Sequence, residues 1–275
     1  KIQRYDPVEE TISEEEIQQI VEETDPPELI AGLEEIPPEE VIMDEPAEII
    51  EKPDHIYNIL LIGQDARPGQ GRQRSDSMIL CTINKNTKTI TLTSFLRDMY
   101  VTIPNYYRSR INAAYQLGGF KTLNSTLEYN FGVSADHCVE VDFSGFENII
   151  NVLGGVDVEL TQAEADYLNR RGNWGVDNGN FDWHLTAGVN TLTGDQALAY
   201  SRIRALDSDW GRTNRQRVVL SALLQKAKTM DLGQVNDFIN EVLPMIATDM
   251  TPAQITGYAL DLLPILSGAT INTQT

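Results

Sequence analysis

The chain has 275 residues, of which 41 are acidic and 21 basic, so its formal net charge is −20 at pH 7. This balance argues against a nucleic-acid partner, because nucleic-acid binding requires a basic surface that replaces counterions. No apolar run approaches the roughly 20 residues of a membrane-spanning helix, and the three histidines lack the spacing of zinc ligands.

The negative charge is concentrated in residues 1–53, which hold 18 acids, 3 bases and seven of the twelve prolines. With no Phe or Trp, this segment cannot bury enough apolar surface to offset the entropy lost on ordering. The composition predicts an acidic, proline-rich stalk or linker. A short amphipathic helix within residues 12–21, where apolar residues recur at helical spacing, is the alternative. Since the chain opens at Lys1 rather than methionine, we expect a signal or an anchor to have been removed.

Residues 54–275 predict one domain, because no second proline-rich or low-complexity stretch interrupts them. The predicted strands are Ile56–Ile62, Met78–Ile83, Thr89–Phe95, His137–Asp142 and Val156–Leu160. The predicted helices are Asn112–Leu117, Phe120–Asn130, Phe146–Leu153, Gly194–Tyr200, Arg212–Lys228, Val235–Ile246 and Pro252–Leu263. Turn residues 84–88 predict a hairpin between the second and third strands. This order predicts an α/β domain in which helices cover both faces of a central sheet.

Two cysteines, Cys81 and Cys138, each lie in an apolar run that is typical of a strand. Such a position favours a buried thiol. A disulfide between the two remains open at this point, because two cysteines alone do not fix the redox compartment.

Arginine makes up thirteen of the eighteen basic residues after residue 53, and most of these arginines lie beside aspartate. A guanidinium presents a rigid fork of donors that matches two phosphate oxygens, whereas lysine is a flexible point charge. The bias therefore predicts that the domain binds a phosphate-like anion.

The first arginine cluster is predicted at one edge of the sheet. If the first three strands run antiparallel in succession, the end of the first, the start of the second and the end of the third lie together. The residues that would meet there are Asp65, Arg67, Arg74, Asp76, Arg97 and Asp98. Asp65 and Asp76 would then face each other, as Mg²⁺ requires when phosphate oxygens and water complete its shell. Ordinary surface ion pairs are the alternative.

The second cluster runs from Tyr200 to Arg217. Arg202 and Arg204 flank Ile203, so an extended segment would point both guanidiniums one way and the isoleucine into the core. Arg212, Arg215 and Gln216 are spaced three and four apart at a helix start, where unsatisfied backbone N–H groups attract anions. The alternative is a basic helix face paired with Asp207 and Asp209.

Five motifs in this order and spacing resemble the LytR-CpsA-Psr family of bacterial cell-wall proteins. They are Asn58–Arg67, Arg74–Asp76, Phe95–Asp98, Arg110–Tyr115 and Tyr200–Gln216. The resemblance extends from about Ile56 to Leu224 and implies a three-layer sandwich with a central mixed β-sheet. Arg110 departs from the family, which often has lysine there, but it keeps the charge.

The resemblance also implies a function. Family members are held by one N-terminal transmembrane helix, with the catalytic domain outside the cytoplasmic membrane, so residues 1–53 would be an extracytoplasmic stalk. They transfer a glycopolymer, such as teichoic acid or capsule, from a polyprenyl pyrophosphate carrier to a peptidoglycan hydroxyl, forming a phosphodiester. The partners expected for this chain are therefore the lipid-linked glycopolymer, peptidoglycan and the membrane.

Roles for single residues follow from the two clusters together with the resemblance. We expect Arg97, Arg202, Arg204 and Arg212 to hold the pyrophosphate, with Gln216 as a neutral donor and Arg74 and Arg215 as weaker ligands. Magnesium on Asp65 and Asp76 would offset charge on the leaving phosphate. Asp209 or Asp98 would be the general base, although Asp98 is equally suited to orienting an arginine.

An apolar groove for the lipid is predicted from Ile149, Ile150, Val152, Leu153, Leu220, Leu223 and Leu224, although plain core packing is the alternative for such faces. Trp174, Trp183 and Trp210 are candidates for stacking on sugar rings or for structural packing. Two other functions also remain open on the sequence alone: a hydrolase that uses water as acceptor, and a non-enzymatic lipid-binding or regulatory module.

Overall fold

The computed structural model describes residues 3–4, 45–64, 72–171 and 183–275. The strands in these ranges are β1 (Gln3–Arg4), β2 (Ile56–Gln64), β3 (Ser75–Asn84), β4 (Thr89–Ser94), β5 (Tyr100–Thr102), β6 (Arg108–Arg110), β7 (His137–Asp142), β8 (Val156–Leu160), β9 (Gly188–Leu192), β10 (Ala247–Thr248) and β11 (Thr270–Gln274). The helices are α1 (Ile111–Phe131), α2 (Phe143–Val152), α3 (Gln162–Arg171), α4 (Gly194–Ser201), α5 (Asp209–Ala227), α6 (Leu232–Val242) and α7 (Pro252–Leu266).

Seven strands form one mixed sheet in the order β1, β10, β7, β2, β3, β4, β11. Strand β3 pairs antiparallel with both β2 and β4, which confirms the predicted hairpin, while β7 runs parallel to β2. The ends of β2, β4 and β7 therefore lie beside the start of β3. We call this end of the sheet, marked by Gln64, Ser75, Ser94 and Asp142, the arginine edge.

Helices cover both faces of this sheet. On one face, Leu60, Met78 and Cys138 pack with buried residues of α1, including Tyr115. On the other face, Ile79, Cys81 and Leu92 form the core on which α5 and α7 pack. A further core joins α2, α3, α4 and α5 to the two-stranded antiparallel sheet of β8 and β9. The predicted three-layer α/β sandwich is confirmed.

The two cysteines lie on opposite faces of this sheet, and both are free and buried. A disulfide between them is therefore excluded, because the sheet separates the two thiols. Burial raises the pKa of the Cys81 thiol to about 12.

The predicted helices agree with α1, α2 and α4–α7 apart from their ends. Helix α1 covers both predicted segments, and the chain breaks helical geometry between them at Gly118 and Gly119. Helix α2 begins three residues earlier than predicted, because the Asp142 side chain caps it by accepting a 2.7 Å hydrogen bond from Gly145 N–H. The sequence missed the helix α3 and six strands of five residues or fewer, which are β1, β5, β6, β9, β10 and β11.

Part of the acidic N-terminal segment contacts the domain. Ala47 and Ile50 donate backbone hydrogen bonds of 2.8 and 2.9 Å to Tyr129 and Gly132 at the end of α1. Strand β1 pairs in parallel with β10. The alternative helix within residues 12–21 lies outside the described residues. Within the described part of the chain, no helix is both long and apolar enough to cross a membrane.

Candidate active site

A cavity of about 440 Å³ lies between the sheet, α2 and α5. Its polar lining is at the arginine edge and consists of Asp76, Ser77, Arg97, Asp142, Ser201, Arg202, Arg204, Arg212 and Gln216. Apolar side chains continue the cavity along the sheet and α5. Three of the predicted groove residues, Ile149, Leu220 and Leu223, line it. Ile150 and Leu153 are buried in the core instead, and Leu224 packs against the sheet.

Asp76 reaches the cavity through a β-bulge. Gly63 pairs with Ser77, but the next residue of β2, Gln64, pairs with Ser75, so Asp76 is the extra residue on β3. In a regular strand Asp76 and Ser77 would point to opposite faces of the sheet. Here both line the cavity, because a bulge locally re-aims a side chain.

Arg97 follows β4 and is held by two aspartates. Its Nη1 lies 2.6 Å from Asp76 Oδ1, and its Nε lies 3.5 Å from Asp98 Oδ2. Burial alone would lower the pKa of Arg97, but the hydrogen bond and charge of Asp76 outweigh it and raise the pKa. Asp98 also lies 3.4 Å from Nη1 of Arg110. Its contacts therefore match a residue that orients arginines.

Arg202 and Arg204 line the same cavity at the end of α4. Ile203 between them is completely buried, as the alternation of the segment predicts. The guanidinium of Arg202 lies 4.0 Å from the centre of the Phe143 ring, a cation–π contact at the start of α2. These two arginines therefore project from a segment that Ile203 and Phe143 fix in place.

Arg212 lies in the first turn of α5, and its side chain is buried. Among the described residues, one carboxylate forms an ion pair with it, and the distance from Arg212 Nη2 to Asp209 Oδ1 is 3.2 Å. Burial lowers the pKa of Arg212, and the positive charges of Arg97 and Arg204 lower it further. The arginines from the end of β4, the end of α4 and the start of α5 are thus close enough to repel one another.

Gln216 lies one turn further along α5 and contacts Ser77, whose Oγ is 3.1 Å from Gln216 Oε1. Sequence reasoning missed Ser77, and also Phe143, Asp142 and Ser201. The order Asp142-Phe143 at the predicted strand–helix junction was an available signal, since an aspartate after a strand is a common helix cap.

Arg215 lies in a different environment from Arg212 and Gln216. Its Nε is 2.8 Å from Glu164 Oε1 and its Nη2 is 2.6 Å from Asp207 Oδ2. These carboxylates outweigh the effect of burial and raise the pKa of Arg215. Each α-helical residue turns by about 100°, so Arg215 is rotated about 60° from Arg212, away from the side shared by Gln216. Arg215 is accordingly part of a buried ion-pair cluster and does not line the cavity.

The remaining predicted residues lie around the cavity or beyond the described ranges. Arg74 donates from Nε to Gln116 Oε1 at 3.3 Å and is outside the cavity lining. Trp183 packs against the core of α3 and α4, while Trp210 is exposed in the first turn of α5. Asp65, Arg67 and Trp174 lie outside the described residues.

The metal prediction depends on Asp76 and its proposed partner Asp65. Among the described residues, no group of three or more His, Cys, Asp or Glu side chains is arranged to hold a metal. Mg²⁺, however, commonly uses one or two carboxylates together with substrate phosphates and water. Asp76 supplies a carboxylate beside the arginines, so the donors present fit an ion that binds together with a phosphorylated ligand.

Residues 34–274 match the model of the LytR_cpsA_psr family. Among curated relatives, the polyisoprenyl-teichoic acid–peptidoglycan teichoic acid transferase TagT of Bacillus subtilis is 35% identical over 178 residues, covering 63% of this chain and 53% of TagT. The enzyme of the same description named TagU in Enterococcus faecalis is 32% identical over 215 residues, covering 74% of this chain and 65% of TagU. The chain thus spans between about half and two thirds of the length of these relatives.

Solved structures resemble the fold over most of its length. "TagT bound to LIIa-WTA" has a TM-score of 0.66 and 28% identity, covering 84% of each chain. "LytR-CPS2A-psr family protein YwtF (TagT) with bound octaprenyl pyrophosphate lipid" has a TM-score of 0.61 and 26% identity, covering 86% of this chain and 84% of the other.

Proposed function

Because the chain belongs to the LytR-CpsA-Psr family, we propose that it is a phosphotransferase acting on a glycopolymer linked to a polyprenyl pyrophosphate carrier. It attaches the polymer, through a phosphodiester, to a hydroxyl group of peptidoglycan. The observation that carries this proposal is the crowding of Arg97, Arg204 and Arg212 around one end of a cavity whose other end is apolar. The named activity of TagT and TagU supports the choice of substrate.

The arginines bind the pyrophosphate. Without an anion, Arg97 and Arg204 destabilise the charge on the buried Arg212. A doubly phosphorylated headgroup supplies the missing negative charge, and each guanidinium matches two phosphate oxygens. Arg202 and Gln216 line the same end and add donors, while the N-terminus of α5 favours an anion through its free backbone N–H groups.

The apolar part of the cavity takes the beginning of the prenyl chain. Ile149, Leu220 and Leu223 line it together with Phe146 and Ile246. Burying this chain removes apolar surface from water, at about 25 cal/mol per Å². A family structure described with bound octaprenyl pyrophosphate supports this use of the cavity.

Asp76, together with Asp65, would hold Mg²⁺ at the phosphates. When bound, the ion neutralises negative charge on the phosphoryl oxygens. Asp76 also fixes Arg97 through their 2.6 Å contact, so this carboxylate orients a phosphate-binding arginine in its own right.

The transfer step breaks one bond and forms one. The acceptor hydroxyl attacks the phosphorus on the sugar side of the pyrophosphate, forming a new P–O bond. The bond from this phosphorus to the oxygen that bridges the two phosphates breaks, and the phosphate that carries the prenyl chain leaves as polyprenyl monophosphate. Asp209 accepts the hydroxyl proton, because it contacts one arginine whereas Asp98 contacts two.

The proposed substrate sets the location. A lipid carrier and a peptidoglycan acceptor meet at the outer face of the cytoplasmic membrane, where an N-terminal anchor would hold the domain. Teichoic acid is the polymer named for the curated relatives, and we extend that polymer class to this chain.

The test measures release of polyprenyl monophosphate from a polyprenyl-pyrophosphate-linked oligosaccharide, with and without peptidoglycan fragments. We expect release that depends on the acceptor, together with labelled peptidoglycan. Equal release without acceptor would identify a hydrolase. Tight binding with no release under either condition would identify a lipid-binding module, and either result would refute the proposal.

A further inference from the structure

Glu140 is a half-buried acidic residue to which the proposed mechanism gives no role. It lies in the middle of β7, between Val139 and Val141, whose side chains line the cavity. Side chains alternate along a strand, so Glu140 points to the opposite face, towards α1. Burial raises its pKa, in opposition to a hydrogen bond from Tyr115 and to the charge of Arg72. A carboxyl group in such a place costs stability unless it is well bonded.

The partners of Glu140 define a chain of hydrogen bonds. Its Oε2 accepts from the hydroxyl of Tyr115, and its Oε1 accepts from Nε2 of Gln64. The other end of the Gln64 amide, Oε1, accepts from the backbone N–H of Gln73 at 3.0 Å. An ionised carboxylate only accepts, so it requires the NH₂ group of Gln64 and turns the amide oxygen towards Gln73.

One end of this chain of hydrogen bonds lies at the β-bulge. Gln64 is the β2 residue at which the register shifts, and its Cα partner is Ser75. Gln73 precedes Ser75 by two residues, so the Gln64 side chain ties the approach to β3 onto β2 immediately before Asp76. The backbone on both sides of Asp76 is therefore fixed, on one side by this bond and on the other by the pairing of Ser77 with Gly63.

We propose that Glu140 is a positioning residue of the phosphate site, acting from the opposite face of the sheet through Gln64 to fix the bulge that presents Asp76. The role rests on the proposed function, because Asp76 matters through Arg97 and the phosphate-bound ion. It gives a role to the polar network of Glu140, Gln64 and the fully buried Tyr115 beneath the arginine edge.

Four variants separate this role from plain structural support. We use the name relay for the hydrogen bonds from Glu140 to Gln64 and from Gln64 to Gln73. Gln64→Met and Glu140→Leu keep the approximate size of the side chain but remove the relay. We expect kcat to fall roughly 10- to 100-fold, with a smaller change in KM. Glu140→Gln can still accept from Gln64 while donating to the Tyr115 oxygen, so it should restore kcat to within about threefold. Tyr115→Phe is the matched control: it removes another hydrogen-bond partner of Glu140, leaves the bonds between Glu140, Gln64 and Gln73 intact and should keep kcat within about twofold.

A double-mutant cycle of binding affinities provides a second measurement. Pyrophosphate affinity in the presence of Mg²⁺ is measured by calorimetry for wild type, Gln64→Met, Asp76→Ala and the double variant. If Gln64 acts through Asp76, the Gln64→Met loss disappears in the Asp76→Ala background, because the two changes share one effect. Additive losses would overturn the proposal, as would a Gln64→Met enzyme of normal kcat. If Gln64→Met does not fold, Glu140→Leu replaces it in the same cycle.

The outcome also distinguishes this inference from the proposed function. A wild-type protein that neither binds pyrophosphate nor transfers polymer refutes the function itself. A wild-type protein that does both, while the relay variants behave like it, refutes only the role of Glu140.

Discussion

Arg212 and Arg215 lie one turn apart on α5, yet their surroundings are opposite. Arg215 contacts two carboxylates, Glu164 and Asp207, and its pKa is raised. Among the described residues Arg212 contacts one carboxylate, Asp209, and burial together with the charges of nearby arginines lowers its pKa. We use the name closed cluster for Arg215, Glu164 and Asp207. We use the name open cluster for the arginines that line the cavity, which are Arg97, Arg202, Arg204 and Arg212.

The difference shows how to distinguish a structural arginine from a ligand-binding one. In the closed cluster the chain supplies its own anions, so removing one partner would leave an uncompensated charge in the fold. Among the described lining residues of the cavity, the four arginines of the open cluster outnumber the two aspartates, Asp76 and Asp142. The charge on the buried Arg212 costs energy, and a bound anion would offset this cost. Arginine content alone does not separate these cases. The carboxylates around each guanidinium separate Arg212 from Arg215. Arg97 also contacts two carboxylates, and it belongs to the open cluster because it lines the cavity and its charge lowers the pKa of Arg212.

The largest effect on stability is expected from removing the arginine of the closed cluster. Arg215→Met would leave Glu164 without its buried partner, and should lower the free energy of unfolding by about 3–5 kcal/mol. Urea denaturation measures this loss. A change below about 1 kcal/mol together with abolished transfer would mean that Arg215 belongs to the open cluster.

Within the open cluster, Arg204→Ala should reduce transfer at least about 100-fold, as expected when one charged donor to a transition state is lost. Arg204 is exposed, so the free energy of unfolding should change by less than about 0.5 kcal/mol. The matched control is Arg170→Ala, which removes an exposed arginine on α3 that is outside the cavity lining. Normal transfer by Arg204→Ala would remove this residue from the site.

Pyrophosphate should stabilise the wild-type protein by filling the open cluster. At a concentration about 100 times Kd, the gain is about 2.7 kcal/mol, which corresponds to a rise of roughly 5–10 °C in Tm for a domain of this size. Arg212→Met should abolish most of this rise in a thermal melt. High salt should weaken it, because charge pairing is screened. A full rise in Arg212→Met would contradict the role of this arginine.

The smallest effect concerns Tyr200, which lies against the closed cluster with its ring centre 5.9 Å from the guanidinium of Arg215. Burial, with the charge of Glu164, raises the pKa of Tyr200 from 10.0 to about 12. The folded pKa exceeds the unfolded one, so this stabilisation is complete below pH 10 and is lost as the pH rises towards 12. Wild type should therefore lose about 1 kcal/mol more than Tyr200→Phe between pH 9 and 11, measured by urea unfolding.

The sequence predicted the frame of the site better than the environment of each residue. The hairpin at residues 84–88 was enough to place Asp76 and Arg97 at one edge, since strand direction follows from local turn chemistry. The burial of Ile203 between two arginines followed from alternation.

Two features could not be predicted because they depend on distant partners. The spacing of Arg212, Arg215 and Gln216 predicted that all three lie on one side of the helix. The structure shows that Arg215 instead forms an ion pair with Glu164 on α3 and lies outside the cavity lining. The bulge at Asp76 was likewise not predicted, because the shift of one residue in the strand pairing cannot be recognised in the hydrophobic pattern of β3.

The order of the chain along the sheet has a consequence for folding. Strands β2, β3 and β4 are consecutive in the chain and form a meander of local contacts. The other side of β4 pairs with β11, which lies far along the chain. Local pairings form faster than distant ones because less chain has to be closed into a loop. We therefore expect the pairing that brings Asp76 and Arg97 together to form before the arginines of α4 and α5 join them. A chain truncated before α4 and α5 would lack Arg202, Arg204 and Arg212, so binding of pyrophosphate would report the presence of the whole domain.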